Sequence, residues 1–323
     1  MFSHLDGSRD RSFSSLLKAL KTGCRKRLNR QRRTALQAEE LESRWLLSAP
    51  NPWQLDSLTG SDGFRMNGIA MVDFAGISVD GAGDVNGDGF DDAVVGAFNG
   101  NSGTGQAYLV FGQPSGFDPT MGLGALTGLD GFAINGVSFG DKLGWSVSGG
   151  GDFDGDGLDD FIIGAPEANS NGSSYILYGA NDGYGGSVDL VNLGNVGNPD
   201  GFRMDGVAGG DEAGLSVSVG GDFNTDGFAD LLIGARSADP GAIPDAGQSY
   251  AVFGSDAVFA GPVDLGTVGD PGSDAGLRLN GVDPVGNSGT SISHAGDING
   301  DGFGDLIIGG PLVDIGGTAD RGA

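Results

Sequence analysis

GDFDGDGLDDFIIGAP, residues 151–166, decides the architecture: an acidic loop runs directly into a short apolar strand. The stretch recurs as GDVNGDGFDDAVVGA (83–97), GDFNTDGFADLLIGA (221–235) and GDINGDGFGDLIIGGP (296–311). The first Asp returns after 68, 70 and 75 residues (Asp84, Asp152, Asp222, Asp297), so the repeat is about seventy residues long. Repeats of that length predict a modular array.

Each loop reads D-x-[DN]-x-D-G-x-x-D. Positions 1, 3, 5 and 9 are Asp84, Asn86, Asp88 and Asp92; Asp152, Asp154, Asp156 and Asp160; Asp222, Asn224, Asp226 and Asp230; Asp297, Asn299, Asp301 and Asp305. All sixteen carry a side-chain oxygen. Position 7 (Phe90, Leu158, Phe228, Phe303) offers a backbone carbonyl, and the glycine at position 6 allows the sharp turn that faces both arms to one point. Hard oxygen donors without His or Cys select Ca²⁺ over zinc or copper, and Mg²⁺ is disfavoured because it keeps its waters and demands strict octahedral geometry. The expectation is about four calcium ions, one per loop. Asp, Asn and Gly also make ordinary tight turns, but one bare turn does not explain sixteen matched positions. Carboxylates crowded this closely repel unless protonated or neutralised.

An EF-hand requires Glu at position 12 and flanking helices. Position 12 here is Val95, Ile163, Ile233 or Ile308, inside AVVGA, FIIGA, LLIGA and LIIGG, short β-branched runs that end in Gly and predict buried strands. The same runs exclude a dockerin-like helix, and the nine-residue period of a β-roll is missing.

With 65 Gly in 323 residues the chain is glycine-rich without a collagen period. Its net charge of −26 is unevenly distributed. Residues 1–48 hold 11 of the 17 Lys and Arg and five acids, leaving six basic and 38 acidic residues for the remainder. An acidic body argues against nucleic acid and anionic membrane as partners. Cys24 is alone, so no disulfide framework is available, and no apolar run is long enough for a transmembrane helix. His294, in ISHAGD, is expected to be a strand residue rather than a ligand.

Around each loop the same strands recur. A GF-x-x-x-G segment comes first (GFRMNG at 63, GFAING at 131, GFRMDG at 201, GLRLNG at 276), then a G-x-S-V/I segment beginning at Gly76, Gly144, Gly214 or Gly289. After the loop and its apolar strand comes a Y-x-x-[FY]-G edge, at Tyr108–Gly112, Tyr175–Gly179 and Tyr250–Gly254. Four short strands per copy predict an all-β fold of β-propeller blades. Copies fall at about 54–112, 122–179, 190–254 and 265–323, within a repeat region 51–323, after a distinct basic segment 1–50.

Residues 54–316 resemble FG-GAP repeats, as in the integrin α-subunit propeller and many bacterial surface proteins. The resemblance implies calcium loops in the hairpin between the first two strands of each blade, and it carries the site onto the sixteen side-chain ligands named above. It implies a non-enzymatic, extracellular or cell-surface propeller for adhesion or ligand binding, with an unidentified protein or glycan partner. Contacts in such propellers come from the face away from the calcium hairpins, which makes Asn99–Gly105 and Ser237–Gly247 the candidate contact loops. The alternatives are a passive spacer in a larger surface protein and, because such propellers also accompany a phospholipase domain, an accessory module of a secreted hydrolase. No Ser/His/Asp or Cys/His arrangement supports chemistry in this chain. Integrin-type propellers have seven blades and this chain has four repeats, so it reads as an arc of a longer or truncated propeller. A four-bladed ring closed by the strand at Gly63–Gly68 is the other arrangement.

The segment Glu40–Ala49 (ELESRWLLSA) resembles the LEPR-xLL element at the start of exported bacterial surface proteins, with Ser43 where Pro is usual. The resemblance implies export, with processing near Ser48–Ala49. The alternative readings are a solvated basic helix or tail and, given RKRLNRQRR (25–33), a nucleic-acid patch.

Overall fold

The computed structural model describes residues 55–181, 183–193, 200–257, 262–314 and 322–323. The segment 1–50, with Cys24 and the Glu40–Ala49 element, lies outside them. The chain divides into two units, 1–63 and 64–323. In the first, the described residues form a 3₁₀ turn, Leu55–Ser57, and a turn in which Asp62 Oδ1 accepts from the N–H and hydroxyl of Thr59.

The second unit is built of strands, with helix limited to single turns among the described residues. In chain order the strands are β1 (Arg65–Asn67), β2 (Val79–Gly83), β3 (Asp92–Ala97), β4 (Gln106–Val110), β5 (Thr120–Gly122), β6 (Gly131–Asn135), β7 (Ser146–Gly151), β8 (Asp160–Ala165), β9 (Ser173–Leu177), β10 (Gly201–Asp205), β11 (Ser216–Val219), β12 (Leu231–Ala235), β13 (Gln248–Val252), β14 (Val263–Asp264), β15 (Gly276–Asn280), β16 (Ser291–Gly296) and β17 (Asp305–Gly309). They form antiparallel blades β2-β3-β4-β6, β7-β8-β9-β10 and β11-β12-β13-β15, with β16-β17 as a two-stranded fourth. Inner strands β2, β7, β11 and β16 pack in succession, so the blades stack in chain order.

Sequence copies and sheets are out of step. The GF-x-x-x-G strand that opens a copy is the outer strand of the preceding blade: β6 pairs with β4, β10 with β9 and β15 with β13. This stitches consecutive copies together, since no blade is complete without the next copy's first strand. The strand near Gly63–Gly68 does not close the fourth blade. As β1 it lies parallel to β5, register Arg65 to Thr120. A second parallel pair, β10 with β14, sits in the same place on the second blade.

Burial follows from the stacking. Central strands β8 and β12 are buried at every position because each sheet is covered on both faces. Alternation then divides the side chains between neighbours. Ile163 packs with Val94 and Leu109 of the first blade, while Ile162 packs with Val217, Leu231 and Ile233 of the third. Each such side chain contributes about 1.5–3 kcal/mol on burial.

The Gly of the first three apolar strands is required by this packing. A Cβ on Gly96, Gly164 or Gly234 would stand 2.0–2.1 Å from the carbonyl oxygen of Gly144, Gly214 or Gly289 in the next blade. The sequence repeats Gly here because two backbones touch.

Candidate metal loops

All four loops occupy the β2–β3 hairpin or its equivalent, between the first two strands of a blade. Each winds around its first Asp. Gly89, Gly157, Gly227 and Gly302 donate to Oδ2 of Asp84, Asp152, Asp222 and Asp297 at 2.9–3.1 Å. These glycines have φ of 88–96°, a left-handed turn that a side chain would strain. The position-5 carboxylate of each loop (Asp88, Asp156, Asp226, Asp301) accepts from the N–H at position 7 (Phe90, Leu158, Phe228, Phe303) at 2.8–3.0 Å.

Oxygens of Asp152, Asp154 and Asp156 all lie within 4.8 Å of one another. Ligands across a Ca²⁺ at 2.3–2.6 Å each are separated by about 5 Å, so the donor set matches this ion in type and spread. In the first and third loops the position-3 residue is Asn, and its amide donates to the next carboxylate: Asn86 Nδ2 to Asp88 Oδ2 (3.2 Å) and Asn224 Nδ2 to Asp226 Oδ2 (2.7 Å). In all three Asn loops the Asn Oδ1 accepts from the position-5 N–H: Asn86 from Asp88 (2.9 Å), Asn224 from Asp226 (3.1 Å) and Asn299 from Asp301 (2.8 Å).

Position 9 has a further role. Asp160 is fully buried, and its two oxygens accept from the N–H of Phe153 and of Gly179, both at 2.7 Å. Asp92 (Val85, Gly112) and Asp230 (Phe223, Gly254) repeat the arrangement. This residue ties the loop to the end of the third strand. Burial pushes Asp160 up to about 8, and Asp92 and Asp230 up to about 6, against these bonds and with help from neighbouring carboxylates. Asp154 is raised by burial and then by Asp156. A cation among these groups would favour their ionised forms.

The loops are also joined to one another, which the sequence pattern did not reveal. The carbonyl of position 1 accepts from the position-8 N–H of the next blade: Asp159 to Asp84 (3.4 Å), Ala229 to Asp152 (2.9 Å) and Gly304 to Asp222 (3.0 Å). The carbonyls of Val85 and Phe153 accept from Ala180 and Ser255, just beyond the next blade's third strand. Position 7 supplies a knob, since Leu158 lies over Gly87 and Phe228 over Gly155 of the preceding loop. The signal available in sequence was the small residue at position 4.

Of the two candidate contact loops, Asn99–Gly105 contains the single turn Gly100–Gly103. Ser237–Gly247 lines a polar cleft of about 330 Å³ through Asp239, Pro240 and Gly241, facing Asp211, Gln248 and Arg278. His294 stands in β16, edge-on to Phe223 at 5.9 Å, as a strand residue.

Stacked four-stranded blades with an Asp-rich loop in the first hairpin define an all-β chain of propeller type. Residues 143–177, 213–252 and 288–323 match the FG-GAP repeat family model, so the chain carries FG-GAP repeats. It is similar to integrin alpha-5 of Xenopus laevis (34% identical over 56% of this chain) and to integrin alpha ina-1 of Caenorhabditis elegans (34% over 54%). It is also similar to phosphatidylinositol-glycan-specific phospholipase D of Bos taurus (31% over 54%). The matched region spans 14, 16 and 19% of those relatives' lengths, respectively. Among the described residues no helix is long and apolar enough to cross a membrane.

Proposed function

We propose that each of the four loops binds one Ca²⁺ through positions 1, 3, 5 and 9 and the position-7 carbonyl. The chain then serves as a non-enzymatic, extracellular or cell-surface adhesion or ligand-binding propeller module. The observation that carries the metal reading is the convergence of Asp152, Asp154 and Asp156 oxygens within 4.8 Å, with no nitrogen or sulfur donor in the set. The relatives named as integrin α chains support the adhesive reading, with a surface protein or glycan as partner. The face bearing the Asp239–Gly241 cleft is the proposed contact side. Residues 1–50 are proposed as the export segment.

Titration calorimetry should find about four calcium ions per chain, with the tightest in the loop that has four Asp. Asp154→Asn should bring that loop level with the others. No calcium binding, or four identical sites in the unaltered chain, would refute this reading. Surfaces coated with the chain should retain cells or glycans in calcium and release them in chelator; retention indifferent to calcium counts against the adhesive role.

The phospholipase D relative favours a second reading, an accessory module of a secreted hydrolase. That reading predicts that the isolated chain leaves cells and glycans unbound.

A further inference from the structure

The strands that build the polar cleft on the third blade also build the equivalent place on the second, where side chains fill it from within. There Arg203 Nη2 donates to Asp205 at 2.9 Å. Asp205 also accepts from the Ser173 hydroxyl (2.8 Å) and the Asn169 amide (3.2 Å). On the third blade Gln248 stands for Ser173, Arg278 for Arg203 and Asn280 for Asp205. Arg278 bonds instead to Asp270 (2.9 Å) and to the Gly266 carbonyl (3.0 Å). Asn280 gives its oxygen to the Gln248 amide at 2.7 Å. The space left open is the cleft of about 330 Å³, at the lower end of the size range of ligand sites.

Its walls carry both donors and acceptors. Asp211 is only 6% exposed; its Oδ2 accepts from the Ala208 N–H at 2.9 Å, and its Oδ1 has no hydrogen bond among the described residues. Burial raises this carboxyl, against the Ala208 bond, and Asp239 adds to the rise. A buried acceptor left unpaired gains from a donor brought into the cleft. Asp239 is exposed and uses one oxygen for the Asp245 N–H at 2.7 Å. The Asn280 Nδ2 has no acceptor among the described residues. Val207, Ala208 and Pro240 add apolar surface.

We infer that this cleft binds a neutral sugar at the end of a glycan. The inference rests on the ligand-binding reading above and names the class of ligand. A hydroxyl group donates and accepts at once, so one polyol serves Asp211 and Asp239 as donor and Asn280 as acceptor. The C–H face of its ring then lies on Val207 and Pro240. A cationic side chain would serve the two carboxylates, but it brings no acceptor to Asn280 and meets the Arg278 guanidinium. An anionic sugar would be repelled by Asp211 and Asp239. The small volume suits the end of a glycan rather than its length.

Saturation-transfer NMR on the full chain in calcium tests this, with methyl glycosides of neutral hexoses and N-acetylhexosamines as probes. At least one probe should bind saturably, and Asp211→Asn and Asp239→Asn should each weaken it roughly tenfold. Both substitutions keep an acceptor for the Ala208 or Asp245 N–H, so the circular dichroism spectrum should not change. Asp141→Asn makes the same change on the filled second blade and should leave binding as it was. No probe bound, binding indifferent to both cleft substitutions, or equal weakening by Asp141→Asn would each overturn the inference. A lysine- or arginine-bearing peptide that binds where no sugar does, and is lost with Asp211→Asn, would assign the cleft to a basic side chain instead. Cells retained in calcium by a chain that binds no probe would overturn this inference and leave the adhesive reading standing.

Discussion

The loops Asp152–Asp160 and Asp297–Asp305 have the same motif and the same winding, yet they close differently. Gly157 and Gly302 turn alike, at φ 93° and 95°, and both wrap their N–H onto the first Asp. Asp160 is buried and accepts from both Phe153 and Gly179, whereas Asp305 is partly exposed and its described bond is to Ile298 at 2.8 Å. The winding is therefore local, written in nine residues. The closure is not local: the group that tightens the second loop comes from the end of β9, and the fourth blade has no third strand among its described residues. Loop and blade are distinct levels of order.

The sharpest way to break this contrast is through the backbone. Gly164→Ala places a methyl 2.0 Å from the Gly214 carbonyl, whereas a Cβ on Gly309 meets first the Ser291 hydroxyl, which can rotate. Gly164→Ala should cost about 3 kcal/mol or more by overpacking, and Gly309→Ala about 1 kcal/mol or less. Equal losses in urea denaturation would mean that the blades are not in close register.

Next comes the clamp. Asp160→Ala leaves two buried N–H groups without an acceptor and should cost about 2–4 kcal/mol, while Asp305→Ala should cost about 1 kcal/mol. Equal shifts in melting temperature would show that the third strand contributes nothing to closure.

A smaller effect concerns pH. Asp160 is raised to about 8 in the ion-free fold, against about 4 in an unfolded chain. The folded state therefore holds a proton that the unfolded state has lost. Stability from this group is complete below about pH 4 and declines as pH rises toward 8. In chelator the chain should melt lower at pH 8 than at pH 5. Calcium should reverse that order by supplying the positive charge that the proton otherwise supplies, and a chelated protein most stable at pH 8 would contradict the burial of Asp160.

How much of this was legible in the sequence depends on range. The loops were legible because Asp, Gly and spacing determine nine residues at a time, and so were the apolar strands that follow them. The strand order was half legible. GF-x-x-x-G reads correctly as a strand, but nothing in a linear pattern says that Gly131–Asn135 pairs backward onto Gln106–Val110. The parallel pairings of β5 and β14 are two or three residues long, too short for a periodic signal. Their trace was the recurrent buried leucine at Leu123, Leu190 and Leu265, of which Leu123 follows β5 and Leu265 follows β14. Position 9 was read only as a ligand, because a clamp to Gly179 is visible only once the third strand returns beside the loop.

The central claim is that the loops hold calcium and that the blades depend on it. Thermal unfolding of the full chain at neutral pH, with about 1 mM calcium and then with chelator, tests it most directly. Extracellular-type affinities give roughly 0.4–1.4 kcal/mol per site, so four sites should raise the melting temperature by many degrees. Identical melting temperatures in the two conditions would contradict the account.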